Sequence, residues 1–120
     1  MVNSKKYYIK LCDDFINDND FQTMIGTSGY SGQIYAYILL NLYLVAIKNN
    51  NQIRIPNSNP VKKEQYMRKL ANDIYCNNAL LEETLLAAIK NNIIKVYEDD
   101  ENIIIDCYKL DGYVELENEN

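Results

Sequence analysis

NNIIKVYEDDENIIIDCYKL, residues 91–110, is the stretch on which the fold turns. Two runs rich in Ile, Val and Tyr flank EDDEN, and β-branched and aromatic runs interrupted by a polar break spell a β-hairpin. Its tip then carries four consecutive carboxylates, Glu98, Asp99, Asp100 and Glu101. Immediately before it, residues 79–91 place Leu81, Leu85, Ala88 and Ile89 on one helical face. Asn77 or Asn78 suits the N-cap, and Asn92 stands where a helix ends in the left-handed conformation, which Asn tolerates best after Gly.

Working outward, residues 62–74 (KKEQYMRKLANDI) form a helix with Tyr66, Leu70 and Ile74 as a narrow apolar stripe, ringed by Lys62, Lys63, Arg68 and Lys69. A tight turn, YCNN, joins it to the next helix. Upstream, NNNQIRIPNSNP holds a brief strand at 52–55, with Pro56 and Pro60 stopping regular structure around a polar loop. Residues 33–48 read as a helix that is apolar nearly all round, so it is buried on more than one side, and a second subunit is expected on the second side. GTSGYSG (26–32) reads as a flexible connection ending at Ser31, a suitable N-cap. Before it come a strand-like segment, KKYYIKL (5–11), and a polar stretch anchored by Phe15 and Phe21.

The order helix, strand, helix, tight turn, helix, hairpin is that of a winged helix-turn-helix. The expected fold class is therefore α+β, mainly helical: a winged helix-turn-helix with an N-terminal extension, dimeric, over residues 1–110, followed by a frayed acidic tail at 111–120. On KKYYIKLCDDF, IYAYILLNLYLVAIKNNNQIRI and LEETLLAAIKNNIIKVYEDDENIIID, the chain resembles the N-terminal winged-helix domain of phage replisome organisers, related to that of DnaD-type primosomal proteins. In size and architecture it is also similar to the centromere-binding adaptors of tubulin-like partition systems. Those are small winged-helix dimers that coat repeated DNA sites and present them to a filament-forming GTPase. The first resemblance implies work at a replication origin beside a replication protein, the second implies plasmid or phage partition.

Composition bounds these readings. Asn occurs 17 times and Ile 15 times, while His and Trp are absent, a bias that fits AT-rich codons and an element of a low-GC bacterium. The apolar run at 34–47 is shorter than the ~20 residues that span a bilayer and is broken by Asn41, so a cytoplasmic protein without membrane contact is expected. Cys12, Cys76 and Cys107 are widely spaced and odd in number, which supports neither a disulfide framework nor a zinc site. Without His, a reactive Cys or a Gly-rich phosphate loop, no enzyme and no cofactor is expected. EDDEN lacks the alternating ligands and the Gly of a calcium loop, so no metal is expected either.

The net charge of −5 hides an asymmetry: residues 1–97 carry +3 and residues 98–120 carry −8. A body with clustered cations can hold phosphates, because binding follows the local field. The expected ligand is double-stranded DNA with repeated sites. Lys62, Lys63, Arg68 and Lys69 are the candidate phosphate contacts, with Asn77 and Asn78 at base edges and Lys90 in support; Lys5, Lys6 and Lys95 are weaker candidates. Equally, cations can simply solvate a helix, and one of the two Asn can be only a cap. Glu82 and Glu83 oppose DNA on the recognition helix and are the mark of a protein-interaction module that has lost DNA binding. The homodimer contact is expected at Tyr35, Leu39, Leu42 and Tyr43. The acidic tip is read either as a charged turn protecting a sheet edge or as a partner surface at Glu98, Asp99, Asp100 and Glu101.

Overall fold

A computed structural model of the chain describes residues 6–9, 18–112 and 114–117. Helix α1 (Asn19–Thr27) starts at Asp18, whose carboxylate accepts from the Phe21 N–H at 3.0 Å, and it buries Phe21 and Met24. Phe15 lies outside the described residues. Helix α2 (Tyr30–Ala46) follows after Ser28 and Gly29 alone and runs into a 3-10 turn, Ile47–Asn49. The segment expected to be flexible is therefore mostly helix: Gly26 belongs to α1, and Ser31 and Gly32 belong to α2. Ser31 is not the cap. Gly29 is, at φ 61, with no side-chain cap hydrogen bond. Gly32 is there for contact, since a Cβ on it would lie 2.4 Å from the Ile25 carbonyl oxygen where α1 crosses α2.

Residues Tyr30–Asn49 are long and apolar enough, by length and composition, to cross a membrane. Here they form the core helix. Ile38, Leu39, Leu42, Tyr43 and Ala46 are buried against the rest of the chain. This corrects the expected dimer contact: Leu39, Leu42 and Tyr43 are consumed by the chain's own core, and Tyr35 packs half-buried against it. The opposite side of α2 exposes Tyr30, Ile34, Tyr37 and Leu44.

Asn50 and Asn51, at φ 56 and 64, turn the chain into strand β2 (Gln52–Pro56). Two successive left-handed residues suit Asn, whose side chain tolerates that region. Pro60 does not stop structure: it opens helix α3 (Pro60–Asp73), where a missing N–H costs nothing, and Asn59 caps it by accepting from the N–H groups of Val61 and Lys62. Helix α4 (Asn78–Lys90) follows a turn in which Tyr75 adopts φ 59, and Asn77 caps it through the Leu80 N–H at 2.8 Å. Asn92, at φ 60, closes α4 as its residue type suggests. On α4 the core face is Leu81, Thr84 and Ala88; Ile89, expected there, is exposed. The Thr84 hydroxyl is satisfied by donating to the Leu80 carbonyl.

Strands β3 (Lys95–Glu98) and β4 (Asn102–Asp106) make the expected hairpin, and β2 joins on the far side of β4, giving the antiparallel order β2-β4-β3. Ile53 and Ile105 stand in register and are buried, while Val96, in register with Ile105, is exposed at the outer strand. The described residues are α+β and mainly helical, four helices with a three-stranded antiparallel sheet, consistent with a winged-helix-like arrangement.

The acidic end departs from expectation. A 3-10 turn, Tyr108–Gly112, runs across the anticipated boundary at 110, and β5 (Val114–Glu117) pairs antiparallel with β1 (Lys6–Ile9). Residues 114–117 are thus a strand and not a frayed tail, because a partner strand at the other end of the sequence satisfies their backbone.

Candidate nucleic-acid interface

The four cations of α3 are all exposed, but they do not form one patch. Leu70, Ala71 and Ile74 fix the buried side of the helix. At 3.6 residues per turn, Lys62, Tyr66, Lys69 and Asp73 fall on one flank, whereas Arg68 falls on another. There its guanidinium donates to Glu64 at 2.7 Å, an i,i+4 ion pair with both members about two-thirds exposed. Lys63 is exposed in the first turn, nearer the core-facing side. Lys62 and Lys69 are therefore the cations of α3 that share a flank and have no ion-pair partner among the described residues.

Asn77 is occupied as the α4 cap. Asn78 is half-buried, and its Oδ1 is buried with no hydrogen-bond partner among the described residues. Lys90 sits at the other end of α4, ~20 Å from Asn77 at 1.5 Å per residue, where a cation suits the helix C-terminus. The structure does not bring it together with Asn77 and Asn78. The solvent side of α4 between them carries Ala79, Glu82, Glu83 and Leu86, the last 67% exposed. Lys95 lies over the Tyr108 ring, 4.7 Å from its centroid. Lys5 lies outside the described residues.

At the hairpin tip the carboxylates divide by role. Asp99 builds the turn: its Oδ1 accepts from the N–H groups of Glu101 and Asn102 at 2.9 and 2.7 Å, and these two bonds hold its carboxyl below the usual range. Glu98 accepts from the Asn57 amide at 2.8 Å, tying the tip to the loop before α3. Asp100 and Glu101 project into solvent.

Cys107 is fully buried, and burial, followed by the Asp106 charge, pushes its thiol up to about 12. Cys76 is half-buried, and its thiol is raised by burial. Among the described residues no three His, Cys, Asp or Glu side chains gather as a metal site.

Three features went unread in the sequence. Tyr75 is 85% exposed at the turn between α3 and α4. Arg54 faces outward from β2, which the alternation in QIRIP does encode. A groove of about 570 Å³ opens between the end of α2, β2 and α3. Comparison with protein-family models, curated proteins and solved structures yields no match to this chain.

Proposed function

We propose that the chain is a non-enzymatic, dimeric winged-helix protein that binds double-stranded DNA at repeated sites of a phage or plasmid and serves its maintenance, in partition or in assembly of a replication origin. The observation that carries this reading is the pair α3 and α4 with the tight turn between them, flanked by the β3–β4 hairpin, with Lys62 and Lys69 exposed on one flank of α3 and without an ion-pair partner among the described residues. Lys62, Lys63 and Lys69 hold phosphates. Arg68, already paired with Glu64, contributes less. The resemblance to replisome organisers favours the origin branch, and the winged-helix-like architecture suits partition equally.

The dimer contact in this reading moves to the outer side of α2. Tyr30, Ile34, Tyr37, Asn41 and Leu44 recur at alternating steps of four and three, the 3.5-residue spacing of a helix-pairing seam. Residues 21–47 carry no charge, so nothing repels a second copy.

The test is a titration against DNA fragments tiling the replicon at ~150 mM salt, repeated across a salt series. Two to three phosphate contacts per protomer, four to six per dimer, give a slope of log dimer affinity on log salt of about −4 to −5. Flat, weak binding equal to that of a random fragment sinks the proposal. A second reading has its own observation: Glu82, Glu83 and Leu86 on the open face of α4 suit a protein partner better than a phosphate backbone. In that case the salt slope vanishes, and K62E with K69E changes nothing.

A further inference from the structure

Strand β2 is an edge, and the phase of its hydrogen bonds shows which groups it leaves open. Cys107 N–H donates to the Asn51 carbonyl at 2.9 Å, and Asn57 N–H donates to the Glu101 carbonyl at 2.8 Å. Both pairs continue the register that sets Ile53 opposite Ile105 and Ile55 opposite Ile103. Hydrogen-bonded pairs alternate along an antiparallel ladder. The odd-numbered residues of β2 thus turn their main-chain groups to β4, and Gln52, Arg54 and Pro56 turn theirs away, to the side where the sheet has no further strand among the described residues. The described hydrogen bonds of Gln52 and Arg54 outside the ladder are made by their side chains, to Tyr97 and to each other.

Along this open edge lies the groove between β2 and α3. Ile53, Ile55 and Leu70 give it apolar lining, while Arg54 and Lys69 set two cations against the single carboxylate of Asp73. We propose that this edge and groove bind an acidic segment of a partner protein in extended form, adding it to the sheet as a fourth strand beside β2. The N–H and C=O groups of Gln52 and Arg54 supply the rungs, and alternate side chains of the guest enter the groove. Its carboxylates meet Arg54 and Lys69. Pro56 has no N–H and ends the pairing, which limits the guest to a strand of about five residues, ~17 Å long. This inference does not require DNA binding, although Lys69 is shared with the proposed phosphate contacts; the Gln52 and Arg54 amides report on it alone.

The test uses the whole chain with a blocked hexapeptide of alternating valine and glutamate, followed by amide NMR shifts and hydrogen exchange. The expected result is slowed exchange at the Gln52 and Arg54 amides, with affinity lowered about tenfold, or 1.4 kcal/mol, by K69E on the exposed side of α3. K69E keeps the fold, so it separates lost binding from lost structure. The proposal is overturned if those amides do not respond at millimolar peptide, or if the valine–lysine counterpart binds as well. It is also overturned if the amides are already protected in a protein-concentration-dependent way, which assigns the edge to a second copy.

Discussion

Lys109 reaches across 91 residues of sequence to donate to Asp18 at 2.8 Å, and its Nζ also donates to Asp20 at 2.9 Å. The last 3-10 turn is thereby pinned to the start of α1. Burial alone would lower this lysine's pKa, but the hydrogen bonds and charges of Asp18 and Asp20 outweigh it and hold the pKa above the ordinary lysine value. Replacing it with Met leaves two carboxylates facing each other, Asp18 largely buried and Asp20 nearly half-exposed. K109M is expected to cost about 1–3 kcal/mol, less than a fully buried pair because Asp20 is partly screened. Since the folded pKa is the higher one, the contribution is complete below ~10.4, the unfolded lysine value, and fades as pH rises toward the folded value. Urea melts at pH 8 and pH 11 check this: wild type and K109M should differ at the first and converge toward the second.

The two apolar sides of α2 give opposite mutational outcomes. L42A removes a fully buried side chain and should cost about 2–5 kcal/mol. Y37E, on the outer seam at 56% exposure, should leave the melting curve nearly unchanged and shift sedimentation toward the monomer. Wild type that sediments as a monomer throughout the micromolar range would remove the dimer from the proposed function.

Two glycines of one motif should behave as opposites. At Gly32 a Cβ meets backbone atoms of Ile25 that cannot rotate away, so G32A is expected to lose about 1–3 kcal/mol by overpacking. At Gly26, inside α1, nothing lies within 4 Å, and G26A should gain up to about 1 kcal/mol in helix propensity. Thermal melts of the two single variants decide it.

The thiols should separate by accessibility. Iodoacetamide near neutral pH, followed by peptide mass mapping, should label Cys76 well before Cys107, which has neither exposure nor thiolate. Equal labelling would mean that the 107 region opens far more readily than its packing implies.

What could be read from sequence was local. EDDEN between two β-branched runs marked the hairpin, Asn77 or Asn78 the cap, which is Asn77, and Asn92 the helix end, because each rests on backbone chemistry within a few residues. Periodicity marked α2 as apolar all round, yet it cannot tell which of two apolar sides faces the core, so Leu39, Leu42 and Tyr43 were placed on the wrong one. Clustered glycines signal freedom or close contact alike, and only the crossing of α1 and α2 distinguishes them at Gly32. The cations of α3 were legible as a cluster in sequence. Their separation onto two flanks, with Arg68 held by Glu64, follows from helical geometry that was there to be counted.

The pairing of Ile9 with Val114 has a kinetic consequence. Joining strands more than a hundred residues apart in an otherwise unfolded chain carries a large loop-closure entropy, while the helical body is built from near neighbours in sequence. That body should therefore assemble first and carry the two strands toward each other, so that β1 and β5 zip last on folding and part first on unfolding. Pulse-labelled hydrogen exchange should find the amides of 6–9 and 114–117 acquiring protection after those of α2 and α4, and losing it at lower denaturant.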